Sequence, residues 1–215
     1  MDTKEILYGY KMTHDTGFAP NPYHGVLTLA TCKPLIRKCA KEGFWISGWT
    51  SNDVQGKEKM YHFKDDSQKL IYLAKISKVL SFKEYWENYP QKRPAELGSE
   101  KEEKGCRKGC GNTVVTKDFE ISLCGDNIYK PLNDSATDFE QIKNIHHGPE
   151  CKEHDLSGKN VLVCEEFYYF GVENAISVKK NDIVHRWKKF SSNDGKKIID
   201  FVAKNYSKGL NPKKK

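Results

Sequence analysis

Residues 13–37 constrain this chain most, because they join two extended runs to the start of a helix through a proline-bearing loop. Apolar residues alternate before the loop, in residues 6–12, and a short apolar run follows it, in residues 26–31. Pro34 suits the first position of a helix, where its missing N–H breaks no hydrogen bond. We therefore expect polar groups in a loop held by two strands and a helix, where binding and catalysis concentrate.

The order of the other elements predicts an α+β fold. Ser81 and Glu84 have the spacing of a capping box, which marks the start of a helix. Many short strands with few helices between them favour a closed or nearly closed β-barrel decorated with short helices. Further strands are predicted at 44–50, 69–80 and 161–164, and further helices at 34–42 and, with an amphipathic pattern, at 195–206.

The 215 residues suit one domain, 1–178, followed by a basic C-terminal extension, 179–215. A charged, glycine-rich stretch at about 91–118 is predicted to be an insertion. The extension holds twelve Lys/Arg and three Asp/Glu, although the whole chain has a net charge of only +7. Such a segment could contact the phosphates of DNA or RNA, but charge alone does not select a partner.

Nothing in the sequence indicates secretion or membrane insertion. Residues 1–10 lack the apolar core of a signal peptide, and no apolar run is long enough to span a bilayer. The seven cysteines are an odd number without a secretory context, which is typical of reduced thiols. We therefore expect a cytoplasmic protein with no membrane partner.

Cys32 is the candidate nucleophile. It stands just before the predicted helix, and the N-terminus of a helix favours a thiolate. The alternative is a small buried thiol without chemistry. Lys33 and Arg37 at the same helix start could instead bind a phosphate. The candidate bases for a Cys/His pair are His14, His146 and His147, of which His14 and His146 are also candidates for acid–base catalysis.

A second group of residues could bind a nucleobase. Phe18 and Asn21 lie in a stiff segment with two prolines, where a ring could stack and an amide could bond a base edge. Asp126 could accept from a base amino group, and Asn127 could pair with an adenine-like edge. The alternative at both places is a structural turn. The predicted ligand-binding residues are Phe18, Asn21, Lys33, Arg37, Trp49, Asp126, Asn127, Tyr129 and His147.

Four further residues could form a structural zinc site. Three residues separate Cys106 from Cys110, and two separate Cys151 from His154. Four such ligands would complete a tetrahedral site and leave no open position for chemistry. The alternative is a set of scattered surface thiols.

Six sequence blocks carry a resemblance to a known family. They are THDTGFAPNP, LATCKPLIR, LSFKEYWENY, GDNIY, the pair His146-His147 and VLVCEEFYYFG. In this order they resemble the nucleotide-modification-associated domain family, type 2, whose members occur in phage and bacterial DNA-hypermodification contexts. The resemblance implies a role in recognising or modifying nucleotides or bases. A basic helix followed by Gly43, Phe44 and a strand also resembles PUA-like barrels such as the EVE and ASCH domains, although Phe44 replaces the acidic residue expected there.

Three functions remain open at this point. The first is recognition of a nucleotide or a modified nucleobase in DNA or RNA. The second is an enzyme of base or nucleotide modification that uses Cys32, or His14 and His146. The third is a basic protein-interaction module. Replacing Cys32 or His14 should abolish turnover by an enzyme, whereas a recognition protein should lose affinity gradually over several residues.

Overall fold

The computed structural model describes residues 5–64, 67–95, 123–180 and 184–215. These residues form short strands and short helices, which confirms the predicted mixture of α and β structure. The strands are β1 (Leu7–His14), β2 (Leu27–Leu29), β3 (Trp45–Gln55), β4 (Met60–His62), β5 (Leu70–Lys75), β6 (Lys78–Ser81), β7 (Tyr129–Pro131), β8 (Phe139–Gln141), β9 (Asn160–Cys164), β10 (Glu166–Tyr169), β11 (Trp187–Lys189) and β12 (Gly209–Leu210). The helices are α1 (Pro34–Cys39), α2 (Phe82–Asn88), α3 (Lys152–Leu156) and α4 (Ser192–Asn205), with 3-10 turns at Pro90–Lys92 and Pro149–Cys151.

The strands form three sheets. The first sheet has the order β11-β1-β3-β5-β10-β12, with β4 paired to β3, and its β1–β3 and β10–β12 pairs are parallel. The second sheet has the order β2-β9-β6, and the third is the β7–β8 pair. The first sheet ends at β11 on one side and at β12 on the other. The predicted barrel is therefore not confirmed, since the described strands form open sheets.

One reason lies in the segment predicted as a single strand at 69–80. The chain leaves the first sheet after Lys75 and enters the second sheet at Lys78. Strands β5 and β6 therefore belong to different sheets, and the bend between them turns the chain from one layer to the next. The apolar run that predicted a long strand is therefore divided between two layers, buried in β5 and half-buried or exposed in β6.

Three clusters of buried side chains hold the layers together. The first cluster lies between the first and second sheets. The second lies between the opposite face of the first sheet and α4, and the third joins the second sheet to α2 and the third sheet. Representative residues are Tyr10, Ile71 and Leu162 in the first cluster, Trp49, Leu73 and Ile198 in the second, and Phe82, Tyr129 and Val161 in the third.

Two helix predictions are confirmed in their main features. The Ser81–Glu84 capping box is formed, with the Ser81 hydroxyl accepting from the Glu84 N–H and the Glu84 carboxylate accepting from the Ser81 N–H. Helix α4 buries Ile198, Ile199 and Val202 of the amphipathic pattern, although it begins three residues before the predicted start, with Ser191 as its cap. Among the described residues, the helices are too short or too polar to cross a bilayer.

Candidate functional site

The connection between β2 and α1 has an unusual backbone. Cys32 and Lys33 have φ angles of 56° and 43°, so two successive residues other than glycine adopt the left-handed region. This conformation costs free energy for an L-residue and concentrates at functional sites. A nucleophile on a sharp strand-to-helix turn is also the arrangement that presents the serine of α/β-hydrolases. The half-buried Cys32 therefore occupies a position suited to chemistry.

His147 and Asp155 complete a continuous chain of polar contacts that begins at Cys32. The Cys32 Sγ lies 3.4 Å from His147 Nε2, and His147 Nδ1 lies 2.8 Å from Asp155 Oδ2. Asp155 is fully buried on α3, and its Oδ1 also accepts from the Cys32 N–H at 2.6 Å. The hydroxyl of Tyr129 donates to Asp155 Oδ2 at 2.8 Å. A thiol, an imidazole and an orienting carboxylate are the three parts of a nucleophilic triad.

The electrostatics of this triad favour a charged imidazole. Burial alone would lower the pKa of His147, but the hydrogen bonds to Asp155 and Cys32 and their negative charges raise it to about 10. Burial alone would raise the pKa of Asp155, but its hydrogen bonds from His147, Tyr129 and the Cys32 backbone hold it below its usual value. His147 is therefore an imidazolium at neutral pH, and its charge faces the sulfur of Cys32.

Arg37 joins the two backbone segments that carry this site. Its fully buried guanidinium donates to the carbonyl oxygens of Cys32 at 2.7 Å, Asp155 at 2.5 Å and Asn160 at 2.7 Å. Gly158 leaves room for it, since a Cβ there would lie 2.6 Å from Arg37 Cζ. Burial lowers the pKa of Arg37 to about 10, although Asp155 and Cys32 partly offset this effect. The predicted phosphate contact of Arg37 stays untested, and the side chain is here fully engaged in holding the loop.

His146 lies beside the triad in a different environment. The ring of Phe18, itself only 3% exposed, stacks on His146 and contacts His147, each with centroids 4.9 Å apart. Burial and the positive charges of His147 and Lys57 lower the pKa of His146 to about 4, so its imidazole is neutral. Phe18 thus packs against protein imidazoles, and its predicted stacking on a base remains a prediction.

Several buried polar atoms around the triad have no hydrogen-bond partner. In the described residues they are Thr31 Oγ1, next to Cys32 in the chain, His146 Nε2 and Gln141 Oε1; Trp45 Nε1 and Arg93 Nε are unpaired elsewhere. The Gln141 amide nitrogen donates to the His147 and Gly148 carbonyl oxygens at 3.1 Å each. Buried polar groups are nearly always paired in native proteins. Three unpaired atoms beside one triad are therefore consistent with a site that completes its hydrogen bonds when a ligand binds.

The predicted base-reading residues form a separate buried network. Asp126 is fully buried and accepts from the Tyr85 hydroxyl at 2.6 Å and the Thr28 hydroxyl at 2.8 Å. The Asn127 amide donates to the carbonyl oxygens of Tyr85 and Tyr89, both at 3.0 Å. Burial raises the pKa of Asp126 above its usual value, although hydrogen bonds and a nearby cation oppose the shift. Both side chains hold α2 against the second sheet.

Lys92 is a buried cation that the sequence did not single out, because it falls inside the predicted insertion. Its ammonium donates to Asn21 Oδ1 at 2.7 Å, to the Asn21 carbonyl at 3.1 Å and to the Val26 carbonyl at 2.8 Å. Burial lowers its pKa to about 8, although the charge of Asp126 opposes this. Asn21 also donates to the Cys124 carbonyl at 2.7 Å, so this predicted ligand residue is fully engaged within the protein.

Three other residues predicted to bind a ligand or to act in catalysis make their side-chain contacts with residues outside the triad. His14 is exposed, with its ring nitrogen 3.0 Å from the Thr13 hydroxyl. Trp49 is fully buried in the second cluster and donates to the Ser47 hydroxyl. Lys33 is half-buried and places its ammonium 5.0 Å from the centre of the Tyr10 ring. The structure brings Cys32 together with His147, and neither His14 nor His146 contacts the sulfur through a hydrogen bond.

The predicted zinc site cannot be assembled from the described residues. Cys106 and Cys110 lie outside them, whereas Cys151 is half-buried at the end of a 3-10 turn and His154 is exposed on α3. The sulfur, ring nitrogen and carboxylate oxygen of Cys32, His147 and Asp155 lie within 4.8 Å of one another. Cys32 and Asp155 bond opposite ring nitrogens of His147, so a metal ion would have to displace one of these bonds.

A surface depression of 530 Å³ lies elsewhere on the molecule. Tyr23, Phe167 and Leu210 are among its lining residues, and no member of the triad is. The case for a site at Cys32 therefore rests on the side chains that converge there, not on this depression.

The comparisons with known proteins agree with the resemblance noted in the sequence. The model of a family described as "Nucleotide modification associated domain 2" matches residues 4–107 and 113–211. No curated protein and no solved structure matches the chain. Because the match covers nearly the whole sequence, this chain belongs to the Nucleotide modification associated domain 2 family.

Proposed function

We propose that this protein is an enzyme of nucleotide modification that uses Cys32 as its nucleophile. The observation that carries the proposal is the unbroken sequence of contacts from Cys32 Sγ through His147 to the Asp155 carboxylate. His147 would act as the acid–base, and Asp155 would hold the imidazole in one tautomer and orientation. The match to a nucleotide-modification family supplies the substrate context.

Acyl transfer is the reaction class that suits these three groups. The Cys32 thiolate would add to a carbonyl carbon, and the His147 imidazolium would protonate the leaving group as its bond to carbon breaks. The neutral imidazole would then take a proton from water or an amine, which attacks the thioester carbon. This second step releases the Cys32 thiolate and restores the imidazolium. The nucleotide would carry the acyl group or accept it.

Recognition of a nucleotide or modified base without chemistry is the alternative. Asp126 and Asn127 are the residues expected to read the base edge. Their side chains already form hydrogen bonds with Tyr85, Thr28 and Tyr89. A recognition protein built on them would need this buried network to open, at a cost of several kcal/mol, ~1–3 for each unpaired buried group. The arrangement of Cys32, His147 and Asp155 has no such obstacle, which favours the enzyme.

The reactivity of Cys32 tests the proposal directly. Iodoacetamide labelling at pH 7, followed by peptide mass spectrometry, compares Cys32 with Cys39, which is exposed at the end of α1. Because His147 Nε2 lies 3.4 Å from the Cys32 sulfur and can activate it as a nucleophile, Cys32 should react roughly tenfold faster than Cys39 despite being less exposed. The variant H147Q should remove this advantage while leaving the Cys39 rate unchanged.

Equal labelling of Cys32 and Cys39 in the wild type, or an unchanged ratio in H147Q, would refute the nucleophile. Incubation with a nucleotide extract and intact-mass analysis supplies the second measurement. A covalent adduct should form on the wild type and be absent from C32A. Nucleotides that bind reversibly and equally well to the wild type and C32A, without any adduct, would instead support recognition. The absence of both adduct and binding would favour the basic interaction module.

A further inference from the structure

Strand β11 carries a large aromatic side chain on the surface of the first sheet. Trp187 is 50% exposed, and its ring lies 6.3 Å from that of Tyr8, which in turn lies 6.1 Å from that of Phe44. We call Trp187, Tyr8 and Phe44 the aromatic row. Among the described strands, β11 forms one edge of the first sheet, and Trp187 is exposed there.

The strand register places this row next to the nucleophile. Trp187 pairs with Tyr10, and Lys189 pairs with Tyr8. Directly paired residues project to the same face of a sheet, so Trp187 and Lys189 share the face of Tyr8 and Tyr10. The ammonium of Lys33 lies over the ring of Tyr10, which is itself fully buried, and 3.5 Å from the Lys11 carbonyl oxygen. Because Lys33 follows Cys32 in the chain, this end of the face lies beside the candidate nucleophile.

The charge around the row is positive. Lys189 and Lys38 are exposed, and Lys33 is half-buried. Residues 184–191, which contain β11, and residues 33–39, which contain α1, include no acidic residue. Aromatic rings combined with cations along one path match the two parts of a nucleic-acid strand, its base faces and its phosphates. A duplex hides its base faces, whereas a single strand presents them.

We propose that the aromatic row, with Lys33 and Lys189, binds a single-stranded polynucleotide and leads it to Cys32. One base would stack on Trp187, and the two lysines would contact phosphates on either side of Tyr8 and Tyr10. The proposal deepens the proposed function, on which it rests for the chemistry at Cys32. It names the substrate as a strand instead of a free nucleotide.

Binding of a fluorescein-labelled twelve-residue oligo(dT), measured by anisotropy, tests the surface without any turnover. W187A should weaken binding about fivefold or more, the minimum for the loss of one base–aromatic stack. K189Q should weaken binding and reduce the dependence on salt by about one phosphate contact. The matched controls F201A and K204Q change an exposed aromatic and an exposed lysine of α4, on the opposite face of the first sheet, and should bind normally.

Competition with unlabelled strands identifies the ligand. Oligo(U) of the same length should compete, whereas a duplex of the same length and inorganic polyphosphate should compete poorly. If polyphosphate competes as well as oligo(U), charge alone attracts the strand and the proposal is overturned. A W187A variant that binds the strand as tightly as F201A would also overturn it. C32A should bind the strand normally. If the strand does not bind but Cys32 is still labelled faster than Cys39, this surface is refuted and the nucleophile is not. If the strand binds but Cys32 is labelled no faster than Cys39, only the nucleophile is refuted.

Discussion

Replacing His147 by glutamine should change the stability of the protein in a way that depends on pH. The pKa of His147 is raised to about 10 in the folded protein, against 6.5 for an ordinary histidine. Between these two values the folded state holds a proton that the unfolded state has lost, so rising pH favours unfolding. The stabilisation that the charged His147 contributes is complete below pH 6.5 and disappears as the pH rises through about 10. Between these values the free energy of unfolding falls by about 1.4 kcal/mol per pH unit.

The side chain of His147 is only 13% exposed, so solvent screens this interaction little. Because the Cys32 thiol contacts His147 and could exchange a proton with it, both proteins carry C32A in this comparison. Between pH 7 and pH 9 the stability advantage of C32A over C32A/H147Q should shrink by up to about 3 kcal/mol, the full two-unit change. Urea unfolding followed by circular dichroism at each pH measures both proteins, and groups away from His147 cancel in the difference. The control C32A/H154Q alters an exposed histidine on α3 and should track C32A.

A difference between C32A and C32A/H147Q that stays constant from pH 7 to pH 9 would refute the charged imidazole. D155N in the C32A background supplies a second check, because it removes the carboxylate that stabilises the charge. The pH dependence of C32A/D155N should be shallower than that of C32A. A C32A/D155N curve that parallels C32A would assign the effect to another group.

Two further variants test the packing around the site. K92M should destabilise the fold by about 3 kcal/mol or more in urea unfolding, because it leaves the Asn21 and Val26 acceptors unpaired in the interior; a loss below 1 kcal/mol would contradict this role. G48A should cost about 1–3 kcal/mol and lower the thermal midpoint, because a Cβ would overlap Met12 Sδ and the Tyr72 ring. An unchanged midpoint would mean that these neighbours shift at no cost.

The sequence singled out Cys32 as a candidate nucleophile and His147 as one of three candidate bases, and the structure brings these two into contact. A cysteine just before a helix start indicates a possible nucleophile, and two adjacent histidines indicate possible bases. Asp155 carried no comparable signal, since it lies 123 residues from Cys32 in a segment without periodic pattern. Its role depends on α3 docking against the nucleophile loop, which is a tertiary contact. The choice of His147 over His14 or His146 depends on the same docking.

The polar turn at Asp126 and Asn127 illustrates a different limit. Short polar residues after a strand are typical of both ligand sites and structural turns, and sequence alone does not separate the two. Tyr85, on another element, places its hydroxyl and its carbonyl within reach of them, and only the tertiary structure reveals this contact. Their role in reading a base stays a prediction. Local patterns served better for helix ends, as the Ser81 capping box shows, because both of its partners lie within four residues.

The placement of Arg37 has a consequence for any attempt to transplant the triad into another protein. One guanidinium fastens the main chain at Cys32, Asp155 and Asn160 simultaneously. A lysine has a single ammonium and could not reproduce three bonds in this fixed planar geometry. A design that copies only Cys32, His147 and Asp155 would lack the bonds that hold the Cys32 turn against α3. Arg37 and Gly158, which makes room for it, must therefore be transferred with the triad.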